Sequence, residues 1–364
     1  MKAVGIDIGT SSIKVCEVLA SSKGIQILSF TEHTLGLNPA HDPELEILEV
    51  LQGLALQYDQ SQTKVVMALR QDLVSVRSKV FPFSDRLKIL KSLPFELEED
   101  LPFSSETAIY EARTVRLIGN QAEVLACATP KHRISEFLGR FQNAGLNLTL
   151  LTAEGLAFAN CFSNWDQPIA QAPADQVTMP DQNSEGTGPV RQLKLVIQLG
   201  HTHSLVGAFE HGNLVAMRSI LWGAKNVAEA ISRKYEIPYI EAMREMKNKS
   251  FILPSKEGAS YDQIVFSDTI AHQFKDLGRE LKLSMLEIET ELSGKVQGAE
   301  ITGGLSGVLH LSPFLTQMLE VPVNPAHVLG GFLTHFDKTT GVDRSISTAL
   351  GLALEGLRKP RNPA

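Results

Sequence analysis

The sequence predicts an α/β fold of two related halves, the first interrupted by a small α+β insertion, and three observations carry that prediction. A meander of three short β-like runs opens the chain, and a second copy of it starts near Leu193. Between them, from about Leu73, the apolar pattern switches to a strand, helix, strand, strand, helix unit of its own. The repeat is visible residue by residue: VGIDIGTSSIKV overlays LVIQLGHTHSLV at a constant offset, putting Asp7 on Gln198, Gly9 on Gly200 and Ser12 on His203.

Taken in order, the first meander runs Lys2 to Gly9, Ile13 to Leu19 and Gly24 to Phe30, punctuated by TSS and SSKG. Leu45, Leu48, Leu51 and Leu54 or Ala55 share one stripe and predict a helix over Pro43 to Tyr58, followed by a buried strand, Thr63 to Leu69. The insertion reads as a strand (Val74 to Phe81), a helix with Leu87, Leu90, Leu93 and Leu97 in phase, strands Ala108 to Leu117 and Ala122 to Ala128, and a helix from His132 to Asn143. Gly119-Asn120 and Gly145 supply its turns. Asn164 to Gln192 is rich in Gln, Pro, Ala, Asp, Ser and Gly and reads as a loop between halves. The second meander, Leu193 to Ile220, turns at Glu210 to Asn213. Helices follow over Lys225 to Tyr235, Tyr239 to Asn248 and Ser267 to Leu292, then a strand at Ala299 to Ile301, the turn Thr302-Gly303-Gly304, and helices over Leu309 to Leu319 and Ser345 to Leu357. The expected partition is 1–72 for the first half, 73–145 for the insertion, 146–192 for a return to the first half including the loop 164–192, 193–344 for the second half, and 345–364 for a C-terminal helix and tail.

Composition narrows the function classes. With 364 residues, 43% hydrophobic and 21% charged, the chain can bury a large core. Its 34 Lys+Arg against 41 Asp+Glu give −7, a field that repels phosphate backbones, so nucleic-acid binding is not expected. No stretch approaches the roughly 18 to 20 apolar residues of a membrane span, and MKAVGIDIG carries an acid where a signal peptide has its apolar middle. Cys16, Cys127 and Cys161 lie far apart among apolar neighbours and read as small core residues rather than a disulfide or metal framework. His201 and His203 share a strand face, but no third ligand cluster accompanies them and metal binding is not expected there.

The run Asp7-Ile8-Gly9-Thr10-Ser11-Ser12 with Lys14 puts an acid at a strand end before a hairpin full of hydroxyls. Backbone N–H groups and hydroxyls in such a turn can meet a phosphate, Lys14 offers a point charge, and Asp7 can orient a Mg²⁺-bound water. By itself the run also fits an ordinary hairpin in which Asp and Ser satisfy local donors. Its repetition at Gly200-His201-Thr202, together with the Gly303-Gly304 turn near the C-terminus, changes that balance. Two phosphate hairpins facing each other, with an adenosine-bearing Gly pair beside them, resemble the actin-like ATPase superfamily: duplicated RNase H-like halves over the whole chain. In that resemblance Asp7, Gly9, Thr10, Ser11 and Lys14 form the first phosphate loop and Gly200, His201 and Thr202 the second. Gly303 and Gly304 form the adenosine loop, and Glu154, in Ala153-Glu154-Gly155, sits on the connecting helix as the remaining candidate catalytic base, with a structural role at that helix start equally open.

GIDIGTSSIKVCEV, KSLPFELEEDLPF, GAKNVAEAISRKYEIPYIEAMREMK, ITGG with FLTQMLEVPV, and STALGLALEGL jointly resemble the PilM family and the cytoplasmic part of GspL-type proteins. Two departures stand out. Gln198 replaces the acid that normally opens the second loop, and Arg244 stands where the family has a Glu three residues before Lys247. His201 and His203 replace small hydroxyl residues and could crowd a γ-phosphate. The resemblance with these departures implies a fold in which ATP with Mg²⁺ binds weakly or not at all and hydrolysis is degraded. It implies a cytoplasmic scaffold at the inner membrane of a type IV pilus or type II secretion machine, binding a bitopic inner-membrane partner of the PilN, GspL or GspM kind. A motor ATPase is a further candidate partner, and homodimerisation stays open.

Strand addition to the insertion, with Phe95, Leu101 and Phe103 as apolar contacts, is the expected docking mode. The C-terminus Lys-Pro-Arg-Asn-Pro-Ala has no apolar anchor, so membrane attachment is expected from a partner or from a segment not in this chain. An active FtsA-like ATPase and a small-molecule kinase of the same superfamily remain the alternatives.

Overall fold

The computed structural model describes residues 1–36, 42–163, 170–171, 190–336 and 341–358. The first meander is β1 (Lys2–Ile8), β2 (Ser12–Ser21) and β3 (Gly24–Thr34). Helix α1 (Pro43–Gln57) follows, capped by Asp42, whose side chain accepts the Glu44 N–H, with Pro43 in its first turn. Then come β4 (Thr63–Leu69), β5 (Ser75–Phe81), α2 (Arg86–Glu96), β6 (Ala108–Ile118), β7 (Gln121–Pro130), α3 (Lys131–Ala144), β8 (Leu150–Ala153), α4 (Glu154–Ala159) and the two-residue β9 (Ala170–Gln171). The second meander is β10 (Arg191–Leu199), β11 (Ser204–Glu210) and β12 (Asn213–Ile220). After it lie α5 (Ala224–Tyr235), α6 (Tyr239–Lys249), α7 (Tyr261–Glu291), β13 (Gly294–Thr302), α8 (Leu311–Leu319), β14 (Val323–Pro325), α9 (Gly341–Ser345) and α10 (Ser347–Leu357).

The duplication is explicit in the topology. One five-stranded sheet has the order β3-β2-β1-β4-β8 and the other β12-β11-β10-β13-β14, each an antiparallel meander extended by two parallel strands. The registers match as well: Asp7 pairs with Lys14 and Ile8 with Ile13, while Gln198 pairs with Leu205 and Leu199 with Ser204. The third sheet, β5-β7-β6-β9, belongs to the insertion except for β9.

Alternation along the strands assigns each side of the first sheet to a different helix set. Val4, Ile6, Ile13 and Val15 face α1 and α3 through Leu51, Leu54 and Phe141, whereas Ala3, Cys16 and Val18 face α10 through Ala349, Leu350 and Ala353. Gly5 lets α10 lie directly on β1, since a Cβ there would run into Ala349 O, and Gly351 does the same for α10 against α4 at Ala157 O. The largest core joins the second sheet to α5, α7 and α8, with Trp222 packed on Phe274 at 5.1 Å. The insertion adds Val76, Val115, Leu125 and Cys127 to that same core, and its other face is covered by α2 through Ile89, Leu93 and Leu97.

Several boundaries differ from the sequence expectation for identifiable reasons. Ser260 caps α7 with a reciprocal Gln263 contact, so the helix starts at Tyr261 rather than Ser267. The strand expected at Ala299 to Ile301 spans Gly294–Thr302, because parallel pairing with β10 supports residues whose own pattern is weak. Gly303 leads into a 3₁₀ turn, Gly304–Gly307, and α8 begins only at Leu311, after His310 adopts φ 64°. The final helix is two pieces, divided at Ile346. On α2 the buried positions include Ile89, and Leu87 is exposed. Apart from Ala170–Gln171 and residues 190–192, the expected loop 164–192 lies outside the described residues, as does 359–364 of the tail.

Candidate functional site between the two hairpin turns

The β1–β2 turn and its copy between β10 and β11 face each other: Thr10 Oγ1 lies 3.5 Å from Thr202 Oγ1. In the first turn the Gly9 N–H donates to Ser12 O at 2.9 Å, tightening the hairpin behind Thr10 and Ser11. Asp7 stands at the end of β1 with Lys14 opposite it in register. Burial pushes the Asp7 carboxyl up to about 6, with Lys14 pulling it down and Glu154 adding to the rise. Asp7 and Lys14 thus lie side by side at the base of the first turn. Among the described residues, no group of three or more His, Cys, Asp or Glu side chains is placed to hold a metal ion.

The second turn is built differently. Gln198, the counterpart of Asp7, is held by α10: its Nε2 donates to Thr348 Oγ1 at 2.8 Å, and its Oε1 lies 3.0 Å from the same hydroxyl. A neutral amide so engaged does not take the part of a second carboxylate for a hard cation. His203 turns to the first half instead, with Nε2 2.8 Å from Glu154 Oε2. That oxygen also accepts the Gln71 N–H at 3.0 Å, while Gln71 Oε1 accepts the Gly155 N–H at 3.0 Å. Glu154 is 9% exposed. Burial disfavours charge on His203, but the bond to Glu154 and its negative charge outweigh this, leaving the imidazole pKa raised. Glu154 thus serves as a buried junction between α4, the Gln71 turn and the second hairpin.

His201 has a third environment. Its carbonyl accepts the Lys225 N–H at 2.8 Å, its Nε2 is 3.2 Å from the Tyr239 hydroxyl, and its buried Nδ1 has no partner among the described residues. Burial, Lys225 and Lys14 all lower its pKa. Beyond Tyr239 lies a cavity of about 340 Å³ lined also by Lys225, Glu229, Ser232 and Arg233. Gly200 anchors the start of α5, its carbonyl accepting the Ala224 N–H at 2.9 Å.

Gly303, at φ 93°, packs against the Leu199 backbone so closely that any Cβ would collide with it, and its N–H donates to Arg344 O at 2.8 Å. Gly304 begins the 3₁₀ turn that follows. Arg244 pairs with Glu241 at 3.6 Å on the exposed face of α6, and Glu245 is turned to Lys249 at 2.7 Å.

The expected partner contacts separate. Phe95 is 80% exposed on α2, whereas Leu101 and Phe103 are half-buried against the insertion core. Gln71, Tyr239 and Thr348 were not singled out from sequence. Thr348 lies within the STALGLALEGL run, but nothing in a linear pattern marks which helix residue will meet Gln198. All three thiols are raised by burial, Cys127 to about 12, in keeping with core packing.

The model of the family described as type IV pilus assembly protein PilM matches residues 5–357. No curated protein sequence matches the chain. Among solved structures, a chain of the PilM–PilN type IV pilus biogenesis complex aligns with TM-score 0.76 at 20% identity, covering 98% of this chain and 99% of that one. The ethanolamine utilization protein EutJ from Carboxydothermus hydrogenoformans aligns at 0.51 and 13% identity, covering 97% and 89%. MreB5 of Spiroplasma citri bound to ADP aligns at 0.51 and 10%, covering 96% and 94%. The fold is the actin-like ATPase fold, and with a family model matching residues 5–357 of a 364-residue chain, the protein belongs to the type IV pilus assembly protein PilM family.

Proposed function

We propose that this chain is a cytoplasmic platform subunit of a pilus-type or secretion-type assembly machine, and that it works by binding a membrane partner rather than by turning over ATP. The observation that carries the second clause is the fate of two acid positions facing the first turn. Gln198 is neutral and bonded to Thr348, and Glu154 Oε2 is already taken by His203 and the Gln71 N–H. A triphosphate between the turns would have to part Thr10 from Thr202 and displace no weaker contact than His203 to Glu154. Neither position then offers a free base to orient a water for in-line attack.

Family membership and the likeness to a PilM–PilN complex support a bitopic inner-membrane partner of the PilN kind, whose cytoplasmic tail docks on the insertion. No helix among the described residues is long and apolar enough to cross a membrane, so on this reading attachment at the cytoplasmic face of the inner membrane comes through the partner. Phe95 is the exposed anchor for that contact, with Leu101 and Phe103 supporting the surface from beneath. Pull-down with the immobilised tail of a PilN-type protein tests it: wild type is retained and Phe95→Ala is retained less. Absence of retention of wild type by tail and by full-length partner would overturn the reading.

A further inference from the structure

A closed ring of four charged side chains fastens the insertion to the second half. Arg116 on β6 donates from Nε to Glu123 Oε2 on β7 at 2.5 Å and from Nη1 to Glu210 Oε2, at the end of β11, at 3.2 Å. Arg191, at the start of β10, donates from Nη1 to Glu123 Oε1 at 3.0 Å, from Nε to Glu210 Oε1 at 3.0 Å and from Nη2 to Glu210 Oε2 at 2.7 Å. Both acids are buried, Glu123 at 1% and Glu210 at 8% exposure. The short strand β9 lies alongside, pairing Ala170 and Gln171 with Arg116 and Leu117.

The placement of the ring matters more than its strength. The chain enters the insertion from β4 and leaves it through α3 into β8, and both β4 and β8 belong to the first sheet. The insertion is therefore covalently part of the first half, and it is held to the second both by the apolar packing of Val76, Val115, Leu125 and Cys127 and by the ring. Apolar residues in place of such a ring would hold the two surfaces about as well; what paired buried charges add is a single permitted docking geometry. Arg116 with Glu123 and Arg191 with Glu210 are pairs internal to the two sides, so the bonds that dock them are Arg116 to Glu210 and Arg191 to Glu123; removing Arg191 leaves two buried carboxylates sharing one guanidinium, which disfavours the docked arrangement.

We propose that this ring is the joint that sets the angle between the two halves, keeping the cleft in the narrow arrangement in which Thr10 meets Thr202 and His203 meets Glu154. Any ligand of the cleft that needs room then acts against the ring as well as against the packing of α10 on β1.

Hydrogen–deuterium exchange of the full chain reads both ends of this claim. In Arg191→Ala the amides of 113–124 should exchange at least about tenfold faster, and those of the two turns, 8–13 and 199–204, should speed up with them, while 63–69 keeps its wild-type rate. Arg191→Lys retains the charge without the bidentate fork; it should fall between the two and carries the test if the alanine variant does not fold. Acceleration of 113–124 with the turns unchanged would mean that the ring only staples the hairpin, and would overturn the proposal. So would unchanged exchange at both sites.

Discussion

The two five-stranded sheets share strand order and register, yet they treat the same position in opposite ways. At the end of β1, Asp7 is a carboxylate with a basic neighbour and a pKa near 6; at the end of β10, Gln198 is an amide bonded to a hydroxyl of α10. One copy of the hairpin ends its first strand on an acid beside a lysine, and the other ends it on an amide tied to α10. The two copies thus share their packing and differ in their chemistry. Backbone registers are enforced by many hydrogen bonds at once, whereas a catalytic carboxylate is a single side chain whose loss costs little stability.

The sharpest way to break the comparison is at Gly5 and its counterpart Val196. Gly5 lies under α10, and Val196 is an ordinary 2% exposed core residue. Gly5→Val should cost about 3 kcal/mol or more and can abolish cooperative unfolding, because backbone rather than a flexible side chain stands in the way. Val196→Ala should cost about 2 kcal/mol and leave a single transition in urea.

Next in size is the junction at Glu154. Glu154→Gln should lower the His203 pKa toward or below the ordinary 6.5, read by NMR titration of the imidazole, and destabilise the chain by about 1–2 kcal/mol. The sign is fixed by the raised value. A histidine held above its unfolded pKa contributes stability that is complete below that value and is lost as pH rises through the folded one, so the gap between wild type and variant should narrow on going alkaline.

Asp7 follows. With its pKa raised from 3.8 to about 6, it favours the folded state only while protonated; that contribution is full below about pH 4 and is lost as pH rises through 6. Asp7→Asn should therefore be more stable than wild type by about 2 kcal/mol at pH 7.5 and no more stable at pH 4, measured by urea unfolding. Gln198→Asp sharpens the comparison from the other side: it should weaken the contact with Thr348 and increase Mg-ATP binding measured by calorimetry. The smallest effect on stability belongs to Phe95→Ala, within about 0.5 kcal/mol, since its ring packs on little else.

Much of this architecture was legible in the sequence, and the reason is physical. The overlay of VGIDIGTSSIKV on LVIQLGHTHSLV marked the two hairpins as equivalent, because strand periodicity and turn residues are local properties, and their registers correspond. Parallel strands were harder: Leu150–Ala153 and most of Gly294–Thr302 owe their form to neighbours distant in the chain. The candidate site divides the same way. Asp7, Gly9, Thr10 and Thr202 sit in turns that a motif can mark. The bonds from Gln198 to Thr348 and from Glu154 to His203 depend on how α10 and α4 cross the sheets. Arg116, Glu123, Arg191 and Glu210 carry no motif at all, since each looks like a surface charge on a strand until four strands bring them together.

If the chain works by holding a membrane partner and not by turning over ATP, phosphate release by the purified chain in Mg-ATP shows it most directly. Release should be no faster than in the protein-free blank, in wild type and Asp7→Ala alike, with or without the tail of a PilN-type partner. Sustained release by wild type that Asp7→Ala abolishes would contradict it.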